Sequence, residues 1–139
     1  MNIVMDTNVI ASAIYFGGKP LQFVTLALSN EIHPFVTESI IEEYERIVDE
    51  LSQKYPKHKI HLSLTDLVNG CEIVTPLREI TVCRDTDDNK FIECAVEADC
   101  LYIVSGDKDL LAVEQFEDIE ILTVSEFFER YYKEEDIKK

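Results

Sequence analysis

The alternation of short apolar segments with longer amphipathic ones limits the fold of this chain more than any other feature. The runs predicted to form strands are 3–5, 33–37, 71–76, 101–105 and 119–123. The predicted helices are 9–16, 21–30, 38–54, a weaker one at 60–69, about 87–98, a short turn at 107–113, and 125–132. Strands that alternate with helices favour a parallel sheet with helices on both faces. The predicted fold class is therefore α/β with a central, mainly parallel sheet.

The size and composition fit one domain with a real core. The chain has 139 residues, of which 46% are hydrophobic, and it contains no linker or repeat. We expect a single domain over 1–139, with 133–139 as a solvated, frayed tail. The final helix carries four aromatic side chains, and packing on the core is favoured over packing on a partner: Phe127, Phe128, Tyr131 and Tyr132.

The cysteines and the N-terminal segment indicate a cytoplasmic protein. The four cysteines form no CxxC pair and no Cys/His cluster at zinc-ligand spacing, so reduced core thiols are favoured over disulfides: Cys71, Cys83, Cys94 and Cys100. No basic segment precedes the first apolar run, which Asp6 interrupts, so a signal peptide is not expected. No apolar run approaches the roughly 20 residues that cross a membrane.

The net charge limits the ways in which the chain can bind nucleic acid. A formal charge of −15 argues against binding through a basic surface. It does not exclude a nuclease that contacts phosphate through metal ions, and it suits a basic protein partner. Five lysines are candidate phosphate contacts, although such lysines are more often solvated charges: Lys19, Lys54, Lys57, Lys59 and Lys90.

Two short apolar runs each end in a carboxylate. Asp6 follows the first strand in "NIVMDTNVI", and Asp107 follows the strand at 101–105 in "IVSGDKDLL". Ligands of open parallel sheets collect beyond the carboxyl ends of the strands, so the two acids share one edge if these strands are neighbours. Each has a structural alternative, since Asp6 could cap the next helix and Asp107 could form a turn. Their joint placement favours function.

Two further acids occupy special positions on predicted helices. On the helix at 38–54, Glu43 lies at the edge of the apolar stripe, and its structural alternative is an exposed side chain. Asp88 shares the inward face of its helix with Phe91 and Ile92. It could be a cap, but Asp85 is already available for that task.

Four acids are thus candidates for one pocket: Asp6, Glu43, Asp88 and Asp107. Packed together they would repel and raise one another's pKa. Mg²⁺ prefers oxygen ligands, keeps several waters and bridges to phosphate. A bound metal can activate water for attack on phosphorus, and a second ion a few ångströms away can serve the leaving oxygen, so one or two ions are expected. Asn8 and Ser105 are candidates for positioning a water or a phosphate oxygen.

Four segments together resemble the PIN domain family, over nearly the whole chain from Asn2 to about Phe128. They are "MDTNVIASAIYFGGKP", "TESIIEEYERI", "RDTDDNKFIECAVEADCLYIVSGDKDLL" and "IEILTVSEFF". The similarity looks strongest to the bacterial and archaeal branch described as toxins of toxin–antitoxin pairs. The resemblance implies a three-layer α/β/α fold and a Mg²⁺- or Mn²⁺-dependent endoribonuclease. It also implies an RNA substrate, a small antitoxin as partner and a homodimer.

Carried over by position, the resemblance implies that the metal-binding and catalytic acids are Asp6, Glu43, Asp88 and Asp107. Asn8 stands beside the first acid, and Ser105 stands where the family has Thr or Ser. Any of three neighbouring acids could assist at the site, but they are interpreted as caps and solvated charges: Asp85, Asp87 and Asp109.

Other functions remain open at this point. Haloacid-dehalogenase-type phosphatases need a second Asp two residues after the first, where this chain has Asn8. A phosphoacceptor receiver domain needs paired acids and a later Lys, and neither pattern is evident. The remaining alternatives are a PIN scaffold that acts as a non-catalytic binding module and a free-standing RNA-processing nuclease.

Overall fold

The computed structural model describes residues 1–29 and 31–138, with side chains described as far as residue 133. The strands within these residues are β1 Asn2–Met5, β2 His33–Val36, β3 Glu72–Ile73, β4 Tyr102–Val104, β5 Gln115–Phe116 and β6 Ile119–Leu122. The helices are α1 Thr7–Tyr15, α2 Gly18–Ala27, α3 Glu38–Lys54, α4 Leu64–Asn69, α5 Asn89–Glu97, α6 Lys108–Leu111 and α7 Val124–Lys138. A 3-10 turn over Thr86–Asp88 leads into α5.

The strands form one sheet in the order β3-β2-β1-β4-β6-β5. All neighbours pair in parallel except β5, which is antiparallel to β6. The central strands are buried on both faces, as Ile3, Val4 and Ile103 are fully inaccessible, and this is typical of parallel strands covered by helices. The predicted α/β fold, a three-layer α/β/α arrangement around a mainly parallel sheet, is confirmed.

The structure differs from the sequence prediction at β5. No strand was predicted there, and the hairpin between β5 and β6 turns at Glu117, whose φ is 52°. The left-handed region usually takes Gly, Asn or Asp, so this turn carries no sequence signal. The predicted strand at 71–76 is also longer than β3, which covers only Glu72–Ile73.

Helix ends account for the other differences. α1 begins at Thr7 rather than Val9, and α2 begins at Gly18 rather than Leu21. The predicted end of that helix at residue 30 lies outside the described residues, as does the last residue of the predicted tail, 139. α7 continues to Lys138 instead of ending at 132, because its last residues include strong helix formers and no Gly or Pro.

An aromatic cluster joins α7 to α2. Phe127 and Phe128 are buried, and the Phe23 ring lies edge-on to both, with centroids 5.0 and 6.3 Å away. The prediction that this helix packs on the core is confirmed for these two side chains. Tyr132 is 58% exposed.

The described residues contain no single helix that is both long and apolar enough to cross a membrane. α1 and α2 are long and apolar enough to cross a membrane only when they are counted together, and the chain bends by 111° at the break between them. All four cysteines are free thiols, and three of them are buried: Cys83, Cys94 and Cys100.

Candidate active site

The topology brings Asp6 and Asp107 to the same edge of the sheet. β1 and β4 are parallel neighbours, with Met5 opposite Val104. The backbone N–H of Asp6 continues this ladder by donating to the carbonyl of Val104 at 2.9 Å. Both acids therefore follow adjacent strands at their carboxyl ends, as the sequence predicted for neighbouring strands.

Asp6 is held as an acceptor rather than as a helix cap. It occupies the N-cap position of α1, yet its side chain makes no capping hydrogen bond. Instead Oδ2 accepts a 2.7 Å hydrogen bond from Ser105 Oγ. The Asp6 side chain is only 3% exposed. Burial, with smaller effects from the charges of Asp107 and Glu43, raises its pKa from 3.8 to about 6, although the Ser105 hydrogen bond lowers it.

Ser105 links the two acids of the sheet edge. Its Oγ donates to Asp6 and accepts a 2.9 Å hydrogen bond from the backbone N–H of Asp107. A hydroxyl has one proton to donate, so the Ser105 proton is committed to Asp6. In this arrangement Ser105 orients a carboxylate, whereas the sequence prediction was that it contacts water or phosphate.

Asp107 has a structural task and a free oxygen. Its Oδ1 caps the short helix α6 by accepting from the backbone N–H groups of Asp109 and Leu110, at 2.8 and 3.1 Å. Its Oδ2 makes no hydrogen bond within the described part of the chain. The structural and functional interpretations of this residue are therefore compatible, because each uses a different oxygen.

Asp88 lies at the junction between the 3-10 turn and α5. Its side chain makes no capping hydrogen bond to α5, since Asp85 caps the turn by accepting from the N–H of Asp87 at 3.0 Å. Asp88 is 9% exposed, and its buried Oδ2 has no hydrogen-bond partner among the described residues. Such an oxygen is rare in folded proteins, because burial without a donor is costly.

The pKa of Asp88 shows that the candidate acids share one electrostatic environment. Burial is the largest cause of its rise from 3.8 to about 7. Negative charges on four other acids add to this effect: Asp107, Asp6, Asp85 and Glu43. The charges of the other three acids predicted from the sequence therefore act on Asp88.

Glu43 reaches the site from α3 and is held at both oxygens. Oε2 accepts from Thr7 Oγ1, the first residue of α1. Oε1 pairs with Lys90 Nζ at 2.8 Å, and the Glu43 side chain is 14% exposed. Lys90 was predicted as a candidate phosphate contact, and the structure pairs it with an acid of the site instead. Neither the Thr7 nor the Lys90 contact has a sequence signal, since the partners are 36 and 47 residues apart.

The aromatic neighbour of Glu43 fixes α3 against the sheet. Tyr44 is fully buried, and its hydroxyl donates to the backbone carbonyl of Met5. Since Met5 directly precedes Asp6, this contact fixes the position of Glu43 relative to Asp6.

A groove of about 400 Å³ opens at Ser105, the hydrogen-bond partner of Asp6, and none of the four predicted acids lines it. Its walls come from α1, the starts of α2 and α7 and the loops after β4 and β6. The apolar side chains of Val9, Pro20 and Val124 line it together with a set of polar ones: Asn8, Ser12, Lys19, Ser105, Thr123 and Ser125. Asn8 is exposed there at the start of α1. Lys19 forms no ion pair with the described residues, and its Nζ lies 3.5 Å from Ser125 Oγ. Of the other predicted lysines, Lys54 packs on the ring of Tyr55, and 57 and 59 are exposed.

The donors at this site suit a hard divalent cation. They are carboxylate oxygens, the ligands that Mg²⁺ and Mn²⁺ prefer. The partnerless Asp88 oxygen also needs a positively charged neighbour, and no described side chain forms an ion pair with it. The site residues therefore fit such an ion.

An α/β sheet with acidic residues at the carboxyl ends of its central strands defines a class of proteins that includes many nucleases. A family model described as "PIN domain" matches residues 2–109, and the chain belongs to the PIN domain family. An uncharacterized protein of Methanocaldococcus jannaschii is 33% identical over 117 residues, which cover 81% of this chain and 75% of that protein. PIN domains are generally nucleases and typically bind divalent metals, and a cluster of acidic residues is present in this chain.

Proposed function

We propose that this protein is a Mg²⁺- or Mn²⁺-dependent endoribonuclease. The acids that would hold the metal and carry catalysis are Asp6, Glu43, Asp88 and Asp107. The observation that carries the proposal is the buried, partnerless Oδ2 of Asp88, in the field of the other three acids. A carboxylate in this state is stabilised by a cation and has no task in the fold.

The residues of the chain orient these acids before any substrate arrives. Ser105 fixes the rotation of the Asp6 carboxylate, and Thr7 together with Lys90 fixes that of Glu43. Such preorganisation lowers the cost of assembling a charged site. When bound, a divalent metal would activate water for attack on the phosphodiester and stabilise the developing negative charge.

We propose that the RNA strand follows the groove that opens at Ser105. Lys19 forms no ion pair with the described residues and stands at the groove wall, where its ammonium can pair with a backbone phosphate. Hydroxyl and amide groups of Asn8, Ser12 and Thr123 offer hydrogen bonds to phosphate or ribose. The preference for RNA over DNA rests on the family resemblance.

The test is cleavage of an end-labelled single-stranded RNA, with a DNA of the same sequence in parallel. We expect cleavage of the RNA with Mn²⁺ or Mg²⁺ and none in chelator. Asp6→Asn should abolish cleavage while keeping the fold, as judged by circular dichroism. Asp87→Asn, which changes an exposed neighbouring acid, should cleave as wild type does. Cleavage that persists in Asp6→Asn would contradict the assignment.

We further propose that the cellular role is that of a toxin blocked by a small antitoxin. The resemblance to the toxin branch and the net charge of −15, which suits a basic partner, support this role. Induced expression should then arrest growth in wild type and not in Asp6→Asn, and co-expression of the adjacent small reading frame should restore growth. Normal growth on induction would favour a free-standing RNA-processing nuclease. The homodimer implied by the resemblance stays a prediction.

A further inference from the structure

Three aromatic rings form a cluster on the surface where α1 and α3 end. Phe16 follows α1, and Tyr55 and His58 follow α3. The Phe16 ring is edge-on to the other two, with its centroid 6.1 Å from that of Tyr55 and 5.5 Å from that of His58. The Tyr55 and His58 rings are themselves 5.5 Å apart. Phe16 is nevertheless 57% exposed, so much of its ring faces solvent.

The segment that carries Tyr55 and His58 is anchored to the fold. The backbone N–H of His61 donates to the carbonyl of Ile14 in α1 at 2.8 Å, and that of His58 donates to the carbonyl of Tyr55 at 3.1 Å. The His61 ring also packs against Gly17, where a Cβ would lie only 3.5 Å from it. The aromatic cluster is therefore held in place, although its segment lies outside the helices and strands.

The charge around the cluster is opposite to that of the whole protein. Residues 51–65 contain no acid, and their only charged side chains are three exposed lysines: Lys54, Lys57 and Lys59. The Lys54 ammonium lies 5.4 Å from the centroid of the Tyr55 ring. The acid that precedes this segment, Glu50, is already paired with Arg46 at 3.3 Å. On a protein with a net charge of −15, such a local excess of positive charge favours a polyanion as the ligand.

The aromatic cluster borders the groove that opens at Ser105. Ser12 lines that groove, and its backbone carbonyl accepts the N–H of Phe16 at 2.9 Å. Lys19 lines it too, and only two glycines separate this lysine from Phe16. Their Cα atoms are therefore at most about 11 Å apart. A strand that leaves the groove past Lys19 can reach the cluster directly.

We propose that Phe16, Tyr55 and His58 form a platform on which unpaired RNA bases stack, while Lys57 and Lys59 bind the flanking phosphates. Exposed aromatic rings beside basic side chains suit single-stranded nucleic acid, because every base has an aromatic face that can stack. Bases of a duplex already stack on one another and are not available to the platform. The platform therefore selects single strands. RNA as the ligand rests on the proposed function, whereas the position of the platform does not.

The test is the fluorescence anisotropy of an end-labelled single-stranded RNA, titrated with the full-length protein in chelator so that cleavage does not interfere. Phe16→Leu keeps an apolar side chain but removes the ring. It should weaken binding at least about fivefold, the low end of what one base–aromatic contact contributes. Phe16→Trp keeps a ring and should bind as wild type does. Leu77→Ala, which trims an 88% exposed side chain outside the cluster, is the control and should not change the Kd.

The lysines and a duplex give two further readouts. Lys57→Gln and Lys59→Gln should each lower the slope of log Kd against log salt by about 0.7, the value for one phosphate of a single strand. Both side chains are exposed, so this readout does not depend on how well Phe16 tolerates substitution. A duplex RNA of the same length should bind wild type and Phe16→Leu equally.

The outcomes separate this inference from the proposed function. Equal single-strand binding by wild type and Phe16→Leu overturns the inference, and the proposed function still stands if the RNA is cleaved with Mn²⁺. A change in sedimentation of Phe16→Leu with an unchanged Kd for RNA also overturns it, in favour of a second copy of the chain at this surface. Binding that is lost in Phe16→Leu and kept in Phe16→Trp supports the inference even if RNA is never cleaved.

Discussion

Replacing Asp88 by Asn should stabilise the metal-free protein. The substitution keeps the size and shape of the side chain and removes its charge. In the folded protein that charge is buried, has no donor at Oδ2 and faces other negative groups. In the unfolded chain the same carboxylate is solvated. Ionisation of Asp88 therefore costs more in the folded state than in the unfolded one, and Asn avoids this cost.

The size of the effect follows from the pKa of Asp88. A rise from 3.8 to about 7 corresponds to about 4 kcal/mol when the group is ionised, at about 1.4 kcal/mol for each tenfold change in proton affinity. Water at the rim of the site screens part of this, and halving it gives about 2 kcal/mol. The folded pKa lies above the unfolded one, so the destabilisation is absent below pH 3.8, grows as the pH rises and is complete above pH 7.

Urea unfolding at pH 5 and pH 8 in chelator measures this prediction. The lower pH stays above the isoelectric point of about 4.4. The advantage of Asp88→Asn over wild type should be about 2 kcal/mol at pH 8 and about 1 kcal/mol smaller at pH 5. The difference between the two pH values measures the effect of the Asp88 charge alone. Any stability lost by burying the Asn amide group is the same at pH 5 and pH 8.

Asp87→Asn is the matched control, since it removes an exposed carboxylate one residue away. Its stability relative to wild type should be nearly the same at pH 5 and pH 8. Two results would show that Asp88 is not an uncompensated charge in the folded protein. One is that Asp88→Asn is only as stable as wild type at pH 8, and the other is that its gain in stability over wild type does not change with pH. The argument that it needs a cation would then fail.

Three further predictions follow from individual contacts. Mn²⁺ at about 100 times its Kd should stabilise wild type by about 2.7 kcal/mol in thermal melts and Asp88→Asn by less; equal stabilisation would place the ion elsewhere. Ser105→Ala removes the hydrogen bond that lowers the Asp6 pKa, so the acidic limb of the cleavage profile at saturating Mn²⁺ should move to higher pH rather than stay fixed. Tyr44→Phe leaves the Met5 carbonyl without its donor, and urea unfolding should show a loss of about 1–3 kcal/mol, whereas an unchanged midpoint would refute the contact.

The fold was predictable where one segment carries its own signal. The apolar runs of β1 and β4 and the amphipathic pattern of α3, which Thr37 caps by accepting from the N–H of Ile40 at 3.2 Å, all depend on local sequence. The β5–β6 hairpin escaped prediction because its turn places Glu117 in the left-handed region without a glycine. Pairing with β6, rather than intrinsic preference, determines that conformation.

The site was predictable in part for the same reason. Asp6 and Asp107 follow apolar strands, so the parallel sheet places them on one edge. The Thr7 and Lys90 contacts of Glu43 and the approach of Asp109 to Asp85 depend on how separate elements pack, and no local pattern encodes them. Asp109 in particular was interpreted as a cap or a solvated charge, whereas the structure gives the capping role to Asp107.

The distribution of hydrogen-bond donors among the site acids separates their folding roles from their binding roles. Glu43 has a hydroxyl and a lysine, Asp107 has two backbone N–H groups and Asp6 has one hydroxyl. Asp88 Oδ2 has none among the described residues. A sequence selected for stability alone would place Asn or an apolar residue at this position, because an uncompensated buried charge is among the most destabilising features of a fold. The loss of stability at Asp88 is therefore explained if this carboxylate is kept as a ligand for a cation.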